Sequence, residues 1–277
     1  MSRSPFECLY RLEADGVNRL MRLGGVMRLI RITCPTKQMM RVELLQGEPL
    51  SEEIQCELAS YVRDWFDLER NLEPFYRMAN ADPLLSPLLK SFYGLRLVGI
   101  PDLFEALCWA IVGQQVNLTF AYKLKQRLTE EFGEACEWEG ITYHAFPVPE
   151  RFRDVTMEQL CSLQLTKNKA RSLLEVARII ASGELTRDNL LALNNPKAAE
   201  IKLTAIRGIG PWTAHYVRMR CLRDLTAFLI ADVGLHNAIK HVAGLERKPT
   251  IVELQTLFAH WQGWEAYATF YLWRVLY

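Results

Sequence analysis

Several features are scarce or missing in this 277-residue chain, and each absence excludes a class of protein. The seven cysteines (Cys8, Cys34, Cys56, Cys108, Cys136, Cys161 and Cys221) are scattered, odd in number and form no Cys-x-x-Cys pair. That pattern argues against a zinc knuckle or a disulfide framework and for a reducing compartment. No cysteine follows Cys221, so a C-terminal iron–sulfur loop is excluded. No apolar run approaches the ~18 residues that span a bilayer. The opening MSRSPFECLYRLEADG lacks the apolar stretch of a secretion signal. A cytoplasmic protein with no membrane partner is expected. A charge excess is also missing: 33 Lys and Arg against 32 Asp and Glu leave a formal net charge of +1. A long nucleic-acid track or an anionic membrane coat needs a stronger basic excess. Any DNA contact is therefore expected to be compact and to use backbone donors, and a small-molecule enzyme fits this charge equally well. No internal repeat or low-complexity segment interrupts the chain.

What is present is an ordinary globular composition, 50% hydrophobic and 23% charged, with enough length to bury a core. The first fifty or so residues read as strands. In MRVELL, Met40, Val42 and Leu44 alternate with Arg41, Glu43 and Leu45, and Val26–Cys34 is a second candidate, closed by Pro35. After the turn Gln46–Pro49, Ser51 can cap a helix that has Glu52 and Glu53 in its first turn and a core stripe at Ile54, Leu58, Val62 and Phe66. Beyond about residue 72 the pattern is helical. Asn80–Leu89, with two prolines, reads as a hinge or domain edge. Asp102 and Glu105 open a helix carrying Leu107, Ile111 and Val112, which Gly113 interrupts. Val116, Phe120, Leu124, Leu128 and Phe132 continue at i+4 spacing to Gly133, and His144–Phe152 reads as a loop. Ala170, Leu173, Leu174, Ala177 and Ile180 form a further amphipathic helix ended by Ser182 and Gly183. From about residue 80 onward, helices joined by short loops are expected.

The stretch LTAIRGIGPWTAHYVRMR (Leu203–Arg220) has the form of helix, tight hairpin, helix. Gly208 and Gly210 permit positive φ and close approach of another molecule, and Pro211 suits the first turn of the second helix. The unbonded N–H groups of that turn, with the helix dipole, make a site for one phosphate. A bare Gly-x-Gly is more often a plain helix–helix turn; here Trp212, Thr213 and Ala214 follow it, and then an aspartate, Asp232, behind the apolar run Ala227–Ala231. An acid in that setting is buried with partners or lines a pocket. Asp232 can also cap the helix through Leu235 and Ile239, and a cap aspartate can present its second oxygen to a cleft. Asp224, beside Arg223, reads as a solvated turn residue.

These residues resemble the helix-hairpin-helix DNA glycosylases, closest to the DNA-3-methyladenine glycosylase II group. The resemblance runs through Trp65–Tyr76, Gly94–Asn117, HAFPVPE, Leu163–Leu173 and, most specifically, IRGIGPWTA followed by Asp232. It implies an α+β fold: a small N-terminal antiparallel α+β domain over residues 1–80, then a mostly α-helical, two-lobed glycosylase body over residues 81–277. It implies a monomer that flips an alkylated purine out of double-stranded DNA and hydrolyses its N-glycosidic bond, with Asp232 as the catalytic carboxylate and no cofactor. Family members that also cut the strand carry a lysine where this chain has Trp212, so activity without lyase chemistry is implied. Trp212, Tyr216 and Trp264 match base-pocket positions, although each is also a plausible core aromatic; Trp261 and Trp273 are read as core. Gly208, Ile209, Gly210 and Thr213 match DNA-binding positions. Gln115 matches the residue inserted where the base leaves, with helix capping as its other reading. The resemblance also implies a monovalent cation on the backbone carbonyls near Thr204 and Ile206. Lys167, Lys169 and Arg171 are candidate phosphate contacts or simply a solvated face. The same fold acting on another damaged base, and a DNA-binding module without catalysis, are the alternatives.

Overall fold

The computed structural model describes residues 4–36 and 39–276. Strands β1 (Arg11–Leu12), β2 (Gly16–Leu23), β3 (Val26–Thr36) and β4 (Met39–Gln46) form one antiparallel sheet in sequence order. The edge strand β4 alternates between exposed and half-buried residues, as the period-two pattern predicts. β2 differs: Val17 through Met21 are all buried, polar Asn18 and Arg19 included. Each polar side chain meets an aromatic residue of the same unit. Asn18 Nδ2 donates to Tyr143 Oη at 3.2 Å, and the Arg19 guanidinium lies 5.6 Å from the Tyr61 ring centre. β3 continues past Pro35, the expected stop, as far as Thr36.

Helix α1 (Glu52–Phe66) starts where Ser51 accepts the Ile54 N–H at 3.4 Å. It is followed by α2 (Glu73–Ala81), α3 (Leu85–Ser91), α4 (Leu103–Gly113) and α5 (Leu118–Phe132). The two-proline stretch runs from the end of α2 through a turn at residues 82–84 into α3, which contains Pro87; Asp82 Oδ1 accepts the N–H groups of Leu84 and Leu85, each at 2.9 Å. Asp102 Oδ1 likewise accepts the Glu105 N–H at 2.6 Å. Val116 falls outside α5, which begins one residue after the cap Asn117.

Residues after α5 depart from the helical expectation. β5 (Glu134–Trp138) and β6 (Ile141–Ala145) form an antiparallel hairpin, so the presumed loop beginning at His144 starts inside a strand and ends in a 3-10 turn at Pro149–Phe152. The remaining helices are α6 (Met157–Ser162), α7 (Lys167–Ala181), α8 (Arg187–Leu191), α9 (Pro196–Thr204), α10 (Pro211–Arg220), α11 (Val233–Val242), α12 (Ile251–Ala259) and α13 (Glu265–Trp273). Among the described residues, no helix is long and apolar enough to cross a membrane.

The chain divides into two compact units, each built from two separated stretches: residues 1–62 with 107–184, and residues 63–106 with 185–277. In the first, Leu20 and Leu29 of the sheet bury against Tyr143 and Ala145 of the hairpin, with Met27, Trp138 and Ile141 around them. In the second, Phe75 of α2 is fully buried, its ring 5.3 Å from Tyr267 and 5.0 Å from Tyr271 of α13. Trp261 is also fully buried, and its indole N–H reaches Asp82 Oδ2 at 2.7 Å. This aromatic core anchors α13, the helix that ends at Trp273.

Candidate active site

The second unit holds the hairpin. Asn195 caps α9, its Oδ1 accepting the N–H groups of Lys197 and Ala198 at 3.0 and 3.1 Å, and Pro196 occupies the first turn. The chain reverses at Gly208, whose φ of +85° is the left-handed conformation that glycine adopts without penalty. Ile209 is buried and donates its N–H to Ile206 O at 3.0 Å, which pins the turn to the end of α9. Gly210 is the N-cap of α10, has no side chain with which to cap it, and has open space where a Cβ would lie. Thr213 is 1% exposed and faces inward, so its expected DNA contact does not fall on an exposed side chain.

Asp232 occupies the N-cap of α11. Its Oδ1 accepts the Leu235 N–H at 2.6 Å and the Trp273 indole N–H at 2.9 Å. Its Oδ2 accepts the Trp212 indole N–H at 3.0 Å. Asp232 caps α11 through one oxygen, as the sequence allowed, and its second oxygen is bonded to the Trp212 indole. Three N–H donors converge on this carboxylate, a favourable arrangement for a partly buried anion. The indoles belong to an aromatic row: Trp212 stacks on Tyr216 at 5.6 Å between ring centres, and Tyr216 lies 6.3 Å from Trp273. Arg220, 9% exposed, fixes this row from behind. Its Nη1 donates to Tyr216 Oη and its Nε to Val98 O, each at 2.7 Å, while the guanidinium sits 5.5 Å from the Tyr216 ring centre.

A second polar cluster ties the hairpin to the loop before Asp232. Arg218 of α10 donates to Glu200 Oε2 of α9 at 3.0 Å and to Asp224 Oδ2 at 2.8 Å through Nε. Asp224 is therefore a half-buried ion-pair partner, 13% exposed at its side chain, and not the solvated turn residue its sequence context suggests. His215 Nδ1 accepts the Phe228 N–H at 3.1 Å, and Nε2 lies 3.5 Å from Glu200 Oε2. Burial, and then the Arg218 cation, push the His215 pKa below its ordinary value.

The arrangement brings Asp232, Trp212 and Tyr216 together and adds Trp273, which the sequence reading leaves in the core. Trp264 goes elsewhere: its ring packs 5.6 Å from Phe75 and 5.8 Å from Tyr267. The helical period sets the two tryptophans on different faces without saying which face meets Asp232. Positions 264 and 273 stand about half a turn out of phase at 3.6 residues per turn, so they face opposite ways.

The stretch that holds the hairpin and Asp232 lies within a match to a known family. The sequence profile of the HhH-GPD superfamily base excision DNA repair protein matches residues 108–263. The chain belongs to the HhH-GPD superfamily. The profile of the 8-oxoguanine DNA glycosylase N-terminal domain matches residues 18–107 of this HhH-GPD protein. The chain is 46% identical to a DNA-3-methyladenine glycosylase of Bacillus subtilis over 278 residues, covering 100% of this chain and 91% of the relative. Two solved structures share the fold. One is the 3-methyladenine DNA-glycosylase from Archaeoglobus fulgidus, with a TM-score of 0.83 at 23% identity over 97% of this chain and 89% of that one. The other is the Schizosaccharomyces pombe 3-methyladenine DNA glycosylase Mag1 in complex with abasic DNA, with a TM-score of 0.60 at 22% identity over 71% of this chain and 93% of that one.

Gln115 lies in the first unit of this HhH-GPD chain, in the turn between α4 and α5. It is exposed and has a φ of +54°, a conformation unusual for a non-glycine residue. Lys167 and Arg171 are exposed on α7, but Lys169 is 8% exposed and donates to Val112 O, near the end of α4, at 2.8 Å. Burial lowers its pKa. Lys169 is thus a helix-terminus cap, and the charge run is not one solvated face.

Proposed function

We propose that this HhH-GPD glycosylase extrudes alkylated purines of the 3-methyladenine and 7-methylguanine type from duplex DNA and hydrolyses their N-glycosidic bond, acting as a monomer and without lyase chemistry. The observation that carries this reading is the Asp232 carboxylate, held by the indole N–H groups of Trp212 and Trp273 at 3.0 and 2.9 Å within a row of three aromatic rings. An N3- or N7-alkylated purine is cationic, and an aromatic face attracts such a base by roughly 0.5–2 kcal/mol. The charged base already leaves readily. As the bond from sugar C1′ to the base nitrogen breaks, its electron pair departs with the base and positive charge develops on the sugar. A fixed carboxylate stabilises that charge and orients the water that adds to C1′, and the proton this water loses passes to the carboxylate and on to solvent. Trp212 supports the absence of lyase chemistry, because an indole nitrogen has no free amine with which to form a Schiff base.

The Gly208–Pro211 turn and the first turn of α10, which no side chain caps, suit one phosphate of the DNA backbone, which agrees with the near-neutral charge of the chain. Gln115, exposed on its left-handed turn, is the side chain we assign to the gap left by the flipped base. The carbonyls of Thr204 and Ile206, at the electronegative end of α9, would hold a monovalent cation that steadies the hairpin. Its role there is structural, and no chemical step uses it.

The test is release of free methylated purines from alkylated duplex DNA, comparing wild type with Asp232→Asn, with the strand checked for breaks before any alkali. Wild type should release the bases and leave the strand intact. The variant should bind damaged DNA as wild type does while its excision falls by about three or more orders of magnitude. Excision by Asp232→Asn would remove the aspartate from the mechanism. Strand cleavage would refute the monofunctional assignment.

A further inference from the structure

Gly234 lies two residues beyond Asp232, in the first turn of α11. Its backbone is not among the left-handed glycines of the chain, so conformation does not demand glycine there. Alanine is the better helix former at such a position. Space is what sets the position apart. A Cβ on residue 234 would lie 2.9 Å from Asp232 Oδ1 and 3.3 Å from Trp273 Nε1. These are the two atoms joined by the 2.9 Å indole–carboxylate hydrogen bond. Non-bonded carbon sits comfortably at about 3.5 Å or more from a neighbouring heavy atom, so one of the two would have to move. Neither moves freely. Oδ1 also holds the Leu235 N–H at 2.6 Å, and Oδ2 is tied to the Trp212 indole. Trp273 is 7% exposed, with Tyr216 beside its ring.

We propose that Gly234 is a positioning residue for the glycosylase reaction: its missing side chain is what lets Trp273 reach Asp232 and fixes the direction in which the carboxylate points. The inference rests on the reading of Asp232 as the catalytic carboxylate. Gly234 acts only through Asp232 and Trp273. An alanine there displaces the carboxylate or the indole by several tenths of an ångström, and misplacement on that scale at a reacting centre costs rate more than affinity.

The experiment compares wild type, Gly234→Ala, Trp273→Phe, the double variant and Asp232→Asn. Three quantities are read: single-turnover excision of 7-methylguanine from a duplex, affinity for a duplex bearing an uncleavable abasic-site analogue, and thermal melting. Gly234→Ala should slow excision about tenfold or more, with affinity within about twofold of wild type and a melting temperature lowered by no more than about 4 °C, the cost of loosening the cap that Asp232 gives Leu235. Trp273→Phe removes the same hydrogen bond and should slow excision to a similar degree. The double variant should be no slower than the slower single variant, because both changes break one interaction. Wild-type excision by Gly234→Ala overturns the proposal, as do multiplicative effects in the double variant. An affinity loss as large as the loss of excision, or a chain that fails to fold with alanine, also overturns it, since the glycine would then serve the helix as a whole and not the direction of the carboxylate. The two readings fail separately. If Asp232→Asn excises normally, the catalytic assignment falls; if it is inactive while Gly234→Ala is normal, only the role of Gly234 falls.

Discussion

Individual residues in this site are defined by what they donate. The indole of Trp212 supplies both a stacking face against Tyr216 and an N–H to Asp232 Oδ2. The two roles can be separated by Trp212→Phe, which keeps a ring and removes the N–H. A hydrogen bond to a charged group contributes about 1.5–3 kcal/mol, so excision should fall roughly tenfold to a hundredfold. Affinity for damaged duplex should change far less, because the stacking face survives. Single-turnover kinetics beside a binding titration would check this, and an equal loss in both would mean that the N–H serves binding alone. That Trp212 and Tyr216 share one helix face was readable from their i+4 spacing. Trp273 was not, because its N–H meets an aspartate 41 residues away in the chain.

At the scale of elements, local chemistry explains most boundaries. Asn117, Thr166, Asn195, Asp232 and Thr250 each accept a backbone N–H at the start of a helix. α9 is the first helix of the hairpin, and Asn195 satisfies two of its otherwise unpaired N–H groups. Asn195→Ala should therefore lower stability by about 1 kcal/mol, measured as a shifted urea midpoint with an unchanged slope. A shift indistinguishable from zero would mean that water replaces the cap at no cost. The β5–β6 hairpin was also legible in principle. ACEW and ITYH flank Glu139 and Gly140, both left-handed with φ of +50° and +74°, a two-residue turn of the kind that joins strands. The long helical run around it concealed that signal.

For the molecule as a whole, the buried polar cluster makes stability depend on pH. His215 is neutral with its proton on Nε2, since Nδ1 accepts the Phe228 N–H. Charging it would break that bond and place a second cation beside Arg218, while Glu200 and Asp224 favour the charge and Lys197 opposes it. The folded pKa lies below the unfolded value, so the unfolded chain takes up a proton first as pH falls. Stability should be fully present above the unfolded pKa of about 6.5 and decline below it. Half-buried Glu265, whose pKa is raised by partial burial, acts in the opposite sense at lower pH. The clean test is therefore a difference: urea midpoints of wild type and His215→Gln across roughly pH 5–8, with the variant showing the shallower decline. Parallel curves would show that His215 does not contribute.

By itself the sequence determined the α+β class, the Ala205–Pro211 turn, the cap at Asp232 and the pairing of Trp212 with Tyr216. All of these are set within a few residues by glycine conformation, capping or helical period. Tertiary structure decided which of two tryptophans meets Asp232, that Lys169 caps α4 and that Asp224 is paired with Arg218. It also decided that each compact unit draws on two separated stretches of chain. The physical reason is range. A local pattern states that a side chain is apolar, charged or able to donate, but its partner is chosen by packing between segments far apart in sequence, and for Trp273 that partner was the carboxylate.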